Sequence, residues 1–254
     1  MNLYIEKIGN GPSLVLLHGW GLHGGLWGPL VDVLAKNFTV VLVDLPGHGY
    51  SDKPQSLTVA TMTQAISSAL ENLGKPAMVL GWSMGAFVAF ELARRFPDRF
   101  ERVVWIAGTP SFIRRDDWAV GMDPQTLVSF AEGLHTDYRA TLKRFISLNG
   151  GMGTDRPLLK TMQQRAFERG EVDVSVLDQG LVILRDSDIR AALAKSAMPL
   201  LMIQGTRDRL VHPSTVSAVA DLRNVESLQI EGAGHAPFLT EPALIGQAVQ
   251  AFRQ

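Results

Sequence analysis

One pentapeptide constrains the chain more than any other stretch. Gly81-Trp82-Ser83-Met84-Gly85 follows a short apolar run at residues 77–80, and a helix-forming run begins near Ala86 and lasts until Pro97. A strand, a one-residue elbow and a helix would hold the serine hydroxyl exposed on a sharp turn. Small residues on both sides let neighbouring backbone approach that turn closely. The pattern predicts that Ser83 is a nucleophile; the alternative is a tight strand-to-helix turn without chemistry.

The apolar pattern along the rest of the chain predicts alternating strands and helices. Strand-like runs occupy residues 3–8, 14–17, 39–43, 102–107, 199–204 and 227–230, and helix-like runs occupy 26–36, 61–73 and the stretch from about Pro242. This order predicts an α/β fold, in which a mostly parallel central sheet, beginning with an antiparallel strand, is flanked by helices.

Residues 111–191 follow a different pattern, in which helix-like segments replace the short strands. We expect a helical lid inserted before the last two strands, with residues 1–110 and 192–254 forming the core. Such a lid would lie over the carboxyl ends of the strands, where ligands bind in α/β sheets.

Composition excludes several function classes. The 254 residues contain no cysteine and carry a net charge of -1, so thiolate chemistry and cysteine metal sites are excluded, and no global field favours nucleic acid. No apolar run approaches a membrane span, and residues 1–9 lack the pattern of a secretory signal. We therefore expect a cytoplasmic monomer with no nucleic-acid or membrane partner.

Two loops follow predicted strands near the elbow. His18-Gly19-Trp20-Gly21 is the first, and acyl transfer needs backbone N–H groups aimed at a developing oxyanion. We expect Met84, directly after the serine, to provide one oxyanion donor and Trp20 the other; the alternative is that Trp20 only packs. The second loop, residues 44–52, is rich in turn formers and lacks a companion ligand cluster. It is interpreted as structural, and no metal or cofactor is expected.

A general base and its acid are expected after the last two predicted strands. His235 lies in a glycine-rich loop after the last strand, and Asp208 follows the strand before it. The order Ser83, Asp208, His235 fits a triad in which the aspartate accepts the Nδ1 proton of the histidine. The alternative acids are Asp44, Asp116 and Asp117. The strand before the lid ends without an acid, which favours Asp208.

The motifs together resemble a known superfamily over the whole chain. His18-Gly19-Trp20-Gly21, Asp44-Leu45-Pro46-Gly47, the serine pentapeptide and Gly234-His235-Ala236-Pro237-Phe238 are similar to the motifs of α/β-hydrolases. More narrowly, Arg144-Phe145-Ile146-Ser147-Leu148, followed by Met152-Gly153-Thr154, resembles the pimeloyl-acyl-carrier-protein methyl ester esterase family of biotin synthesis. That family's activity implies a serine carboxylesterase that removes the methyl ester from the far end of a carrier-bound pimeloyl chain.

The same resemblance implies positions that bind the substrate and the carrier. The expected acyl contacts are Trp20, Met84, Phe145, Ile146, Ser147, Leu148 and Asn149. Bases outnumber acids between residues 139 and 169, so this stretch is expected to dock an acidic acyl-carrier protein through Arg139, Lys143 and, above all, Arg144. The alternative is a solvated helical face. The competing functions are a broad small-ester carboxylesterase, a C–C hydrolase or lyase, and a hydrolase-shaped ligand receptor.

Overall fold

The core is a single seven-stranded sheet. The computed structural model describes residues 1–73, 77–149, 156–220, 222 and 224–253, with the side chains of residues 149 and 156 left out. Strands β1 to β7 span Ile5–Ile8, Ser13–Leu17, Thr39–Val43, Ala77–Trp82, Phe100–Ile106, Leu200–Gly205 and Val225–Ile230. Their order across the sheet is β1-β3-β2-β4-β5-β6-β7. Only β1 runs antiparallel to its neighbour, which confirms the predicted antiparallel start and parallel remainder.

The central strands are apolar because both faces of the sheet are covered. Every residue of β4 and of β6 is buried, as expected where helices pack on both sides of a parallel sheet. Because β2, β4, β6 and β7 run in the same direction, the loops that follow them emerge at the same edge. These are the loops that carry the predicted site residues.

Ten helices accompany the sheet in the described residues. Helices α1 to α10 span Pro29–Leu34, Val59–Ala69, Met84–Arg95, Pro124–Thr136, Tyr138–Asn149, Arg156–Arg165, Val174–Asp186, Arg190–Ala194, Thr215–Ala218 and Pro242–Phe252. The helix expected at 26–36 is divided into a 3-10 turn at Gly24–Trp27 and α1, because Gly28 adopts a φ of 48° and Pro29 starts the new helix. Helix α2 begins two residues earlier than expected because the hydroxyl of Thr58 caps it.

Five of these helices, α4 to α8, lie between β5 and β6, where the insertion is expected. Helix α4 packs on α5 and α7, and α7 also contacts α3, the helix that follows Ser83. A backbone bridge between Ser111 and Asp188 joins the two ends of the insertion. The boundaries of the lid, residues 111–191, remain a prediction. No helix among the described residues is both long and apolar enough to span a bilayer.

Candidate active site

Ser83 occupies the turn between β4 and α3. Its φ of 56° and ψ of -119° lie in a region that residues other than glycine rarely adopt and that costs about 1–3 kcal/mol. The turn is packed against neighbouring backbone: a Cβ on Gly81 would lie 2.3 Å from the carbonyl oxygen of Gly85, and one on Gly85 would lie 2.3 Å from that of Leu17. The glycines of the pentapeptide are therefore required by close contact, as predicted.

The loop after β2 runs directly against the serine. A Cβ on Gly19 would lie 3.2 Å from the Cβ of Ser83. Within the described part of the chain, the backbone N–H groups of Trp20 and Met84 donate to no acceptor. Met84 is the first residue of α3, where a helix leaves its N–H groups unpaired. Unpaired backbone N–H groups are the type of donor that stabilises an oxyanion, and the assignment of these two to that role remains a prediction.

The indole of Trp20 is held by helices of the insertion. Its Nε1–H donates to the carbonyl of Leu177 in α7 at 2.9 Å. Its ring lies edge-on to Phe145 of α5, with centroids 4.9 Å apart, and near Phe130 of α4. Gly180 makes room for it, because a Cβ there would lie 2.4 Å from the indole Cδ1. No sequence motif marks Leu177 or Gly180, since both act across more than 150 residues.

Asp208 and His235 are in hydrogen-bonding contact. The Nδ1–H of His235 donates to Oδ2 of Asp208 at 2.8 Å, and both side chains are fully buried. Oδ1 of Asp208 accepts the backbone N–H groups of Leu210 and Val211 at 2.8 and 3.0 Å. Because Nδ1 carries the proton, the neutral ring presents a lone pair at Nε2. That nitrogen is buried and has no hydrogen-bond partner among the described residues.

The loop that carries His235 is hydrogen-bonded to β4, the strand that ends directly before Ser83. Trp82, the residue before the serine, donates its Nε1–H to the carbonyl of His235 at 2.8 Å. The rings of Trp82 and His235 lie 6.0 Å apart between centroids. The loop that carries His235 and the strand that leads to Ser83 are therefore fixed against each other by this hydrogen bond.

The alternative acids are engaged elsewhere. Asp44 is buried and accepts the N–H groups of Gly24 and Tyr50 at 2.7 and 3.0 Å, besides an ion pair with Arg169 at 3.0 Å. Asp116 and Asp117 are exposed on the insertion, and Asp117 pairs with Arg190. None of the three hydrogen bonds to a histidine in the described residues, whereas Asp208 does.

Three other histidines are buried as neutral rings. His18 donates from Nδ1 to the carbonyl of Gly19 and accepts the N–H of Leu45 at Nε2, at 2.8 and 2.9 Å. Burial, together with the neighbouring His48, lowers the pKa of His18 to about 3. Burial also lowers the pKa of His48 to about 4 and that of His23 below its usual value. His18 thus joins the loop after β2 to the loop after β3, which is a structural role.

The consecutive lid residues expected to bind substrate point in different directions. Phe145 and Ile146 are buried and Leu148 is half-buried, whereas Ser147 is exposed and donates to the carbonyl of Lys143 at 2.8 Å. Successive residues turn by about 100° around a helix, so these side chains face different surroundings, and their contact with substrate remains a prediction. Phe145 is the one in ring contact with Trp20. The side chain of Asn149 lies outside the described part of the chain.

The basic stretch forms a groove between α5 and the segment around α6. The groove has a volume of about 450 Å³ and is lined by Arg139, Lys143, Lys160, Gln163, Gln164 and Phe167. Arg139 lies over the ring of Phe167 and pairs with Glu171. Lys143 and Lys160 are exposed and form no ion pair within the described ranges. Arg144 does not line this groove and instead lies over the ring of Phe130, 5.7 Å from its centroid.

Comparison with known proteins places this site in a family. The family model of the alpha/beta hydrolase fold matches residues 12–242. The chain belongs to the α/β-hydrolase family. A pimeloyl-[acyl-carrier protein] methyl ester esterase from Xanthomonas oryzae pv. oryzae is 41% identical over 253 residues, covering 98% of each chain. A protein of the same name from Nitrosospira multiformis is 37% identical over 248 residues, covering 95% of this chain and 94% of its own.

Solved structures of α/β-hydrolases have the same architecture. An esterase from Exiguobacterium antarcticum has a TM-score of 0.90 at 23% identity, with 99% of this chain and 96% of that chain covered. A bromoperoxidase from Bacillus anthracis has a TM-score of 0.89 at 24% identity, with 98% and 94% covered. At such identities these neighbours show the fold alone. The predicted fold and the resemblance to the esterase family are confirmed.

Proposed function

We propose that the protein is a serine carboxylesterase that hydrolyses the methyl ester of pimeloyl-acyl-carrier protein, releasing methanol and free pimeloyl-acyl-carrier protein for biotin synthesis. The observation that supports the chemistry is the buried Asp208–His235 pair, in which Nε2 of the histidine has no hydrogen-bond partner among the described residues. The loop that carries His235 is hydrogen-bonded to the strand that leads to Ser83. The substrate is proposed from the relatives, which are named for this reaction and match nearly the whole chain.

In the proposed mechanism, Oγ of Ser83 attacks the ester carbonyl while Nε2 of His235 takes its proton. Asp208 stabilises the imidazolium that forms, and the N–H groups of Met84 and Trp20 hold the oxyanion. His235 then gives this proton to the departing methoxide, which leaves as methanol, and an acyl-enzyme remains. Water, deprotonated by the same histidine, attacks the acyl-enzyme and regenerates the serine.

The substrate also contains a thioester, and access explains why the methyl ester would be cut. Ser83 is only 3% exposed, and aromatic side chains of the insertion pack on Trp20 beside it. A thin acyl chain can enter such a site with its free end first, whereas the thioester is joined to a folded carrier that stays outside. The ester carbonyl at the free end is then the one that reaches Ser83.

Covalent labelling tests the proposed nucleophile. A fluorophosphonate should give one adduct, mapped by mass spectrometry to the peptide that contains Ser83, and none in Ser83→Ala. His235→Ala should slow labelling by at least about 100-fold, since the base supplies roughly that factor or more. His212→Ala, which changes an exposed histidine near Asp208, serves as the control and should label at the wild-type rate. Failure to label Ser83 in the folded protein would favour a hydrolase-shaped receptor.

We further propose that the basic groove, with Arg139, Lys143 and Lys160, docks the acidic carrier. Lys143 and Lys160 form no ion pair within the described part of the chain, so their ammonium groups can meet carboxylates of the carrier without breaking an ion pair seen there. The double variant Lys143→Glu/Lys160→Glu should raise KM for the carrier-bound ester by about 10-fold or more and leave a small free ester unaffected. Equal turnover of the carrier-bound ester by variant and wild type would favour a broad carboxylesterase.

The control for charge is the double variant Lys36→Glu/Lys195→Glu, at two exposed lysines that do not line the groove. It should leave KM for both substrates within about twofold. Arg144→Glu, whose parent side chain lies over Phe130, tests separately whether docking extends beyond the groove.

We propose that the enzyme acts in the cytoplasm, where we expect its carrier, and that it acts as a monomer, because every group named in the mechanism comes from one chain. Light scattering after size exclusion should give the mass of a single chain at concentrations at which the enzyme is active. Activity confined to a dimer fraction would contradict this.

A further inference from the structure

Gln204 is a buried polar residue that belongs to none of the recognised motifs. It is the penultimate residue of β6 and is 1% exposed. A buried amide in an otherwise apolar strand loses its hydration and must recover it through hydrogen bonds. Its contacts therefore indicate what the side chain contributes.

The amide nitrogen of Gln204 holds the carboxylate of Asp208. Nε2 donates to Oδ2 of Asp208 at 2.7 Å and to the carbonyl of Val211 at 3.1 Å. Oδ2 is the same oxygen that accepts Nδ1–H of His235 at 2.8 Å. With two backbone N–H groups on Oδ1, the carboxylate has four donors, and its rotation is fixed.

The other end of the amide is unsatisfied. Oε1 of Gln204 is buried and has no hydrogen-bond partner among the described residues. An apolar side chain of the same size would fill the position without desolvating a carbonyl. What Gln204 adds over such a side chain is therefore its N–H donor to Asp208 and Val211.

The backbone around Gln204 is fixed against the histidine loop. A Cβ on Gly205 would lie 2.3 Å from the carbonyl oxygens of Ala233 and Gly234. The N–H of Arg207 donates to the carbonyl of Ala233, and the N–H of Gly232 donates to the hydroxyl of Thr206. The end of β6 and the loop that carries His235 thus form one unit, in which Gln204 reaches the contact between the aspartate and the histidine.

We propose that Gln204 is a positioning residue for catalysis, which fixes the Asp208 carboxylate and moderates its pull on the proton at Nδ1 of His235. This inference rests on the proposed function. A donor on Oδ2 disperses the negative charge of the carboxylate. Without that donor, Asp208 attracts the imidazolium of His235 more strongly, so the neutral imidazole forms only at higher pH. The geometry of the Asp208–His235 pair also becomes less fixed.

Gln204→Met removes the donor and keeps the length of the side chain. With a small soluble ester, kcat should fall by about 10-fold while KM stays within about twofold, because the Gln204 amide contacts Asp208 and Val211 and none of the residues proposed to bind substrate. The acid limb of the pH profile of kcat/KM should move up by about half to one pH unit. A purely structural role for Gln204 would lower activity at all pH values without moving that limb.

The matched control is Gln229→Met. Gln229 lies on β7 in register with Gln204, is exposed, and makes a bond of only 3.4 Å to the carbonyl of Pro213. Its variant should retain the wild-type acid limb and kcat. Gln204→Asn has a shorter amide that cannot reach Oδ2 of Asp208, so it should move the acid limb in the same direction as Gln204→Met. It is the variant to measure if Gln204→Met does not fold.

The outcomes separate this inference from the proposed function. If folded Gln204→Met or Gln204→Asn has the wild-type acid limb while Ser83→Ala is inactive, the role of Gln204 is refuted and the serine mechanism stands. If Ser83→Ala retains activity, the proposed function falls first, and the role of Gln204 falls with it. A limb shift in the Gln204 variants together with an inactive Ser83→Ala supports both.

Discussion

A buried ion pair fastens the insertion to the core, and its removal should be costly. Arg169 donates from Nη1 to Asp44 at 3.0 Å and also pairs with Glu6 of β1. The side chain of Asp44 is 0% exposed and that of Arg169 is 11% exposed. Arg169→Met leaves the carboxylate of Asp44 buried with only the N–H groups of Gly24 and Tyr50 as donors.

Removing one member of a buried pair costs about 3–5 kcal/mol. Because Asp44 keeps two backbone donors, we expect the lower end, about 3 kcal/mol. A chain of this size loses about 2–4 °C in Tm for each kcal/mol, so Arg169→Met should lower Tm by about 6–12 °C at pH 7. Differential scanning calorimetry measures both the Tm and its cooperativity.

A second ion pair provides the control, because it joins the same two parts of the chain at the surface. Lys53, in the loop after β3, pairs with Asp173 before α7 at 2.6 Å, but the two side chains are 51% and 48% exposed. Lys53→Met should change Tm by no more than about 2 °C. A Tm for Arg169→Met within about 2 °C of the wild type would show that the buried ion pair contributes little to stability, contrary to this prediction. An equal decrease in Tm in the Arg169→Met and Lys53→Met variants would contradict it as well.

Two further predictions concern buried groups near the site. His18 and His48 stay neutral in the folded protein down to pH values of about 3 and 4, whereas the unfolded chain protonates them below about pH 6.5. Stability should therefore fall as pH falls from about 6.5 to 4, by about 1.4 kcal/mol per pH unit for each ring. Urea unfolding at several pH values measures the slope of the unfolding free energy against pH, which should be shallower in His48→Gln. An unchanged slope in this variant would contradict the assignment of His48 as a buried neutral ring. Gly180→Ala should displace the indole of Trp20, because the added Cβ would clash with it, and should lower kcat by about 10-fold or more. Val182→Ala changes an exposed residue of the same helix and should leave kcat unchanged. Equal kcat values for the two variants in steady-state assays would contradict the clash between the Gly180→Ala methyl group and Trp20.

Local patterns were sufficient to predict the elements of the fold. The apolar run before Ser83 and the helix-forming run after it predict β4 and α3, because strand and helix periodicity are properties of neighbouring residues. The sequence also predicts an insertion between β5 and β6. Its errors lie at element boundaries and in short elements such as α9, and single residues explain two of them: Gly28 divides one expected helix and Thr58 begins another early.

Most contacts between distant residues could not be predicted from the sequence. The pairing of Asp208 with His235 could be expected from the order of the motifs, but the hold of Gln204 on Asp208 has no sequence pattern. The same applies to the bond from Trp20 to Leu177, which depends on how α7 packs over the sheet. The sequence shows that basic residues cluster in this stretch. It does not show that Arg139, Lys143 and Lys160 line the groove while Arg144 lies over the ring of Phe130, because that depends on the side of the helix from which each residue projects.

We propose that this hydrolase cuts the methyl ester of a carrier-bound chain and leaves its thioester intact. The most direct measurement is the intact mass of a carrier protein bearing a methyl pimeloyl chain, followed during incubation with the enzyme and with Ser83→Ala. We expect the wild type to lower the mass of the carrier by one methylene, with release of methanol, and Ser83→Ala to leave the mass unchanged. Loss of the whole acyl chain to give the free carrier thiol, at a comparable rate, would contradict it.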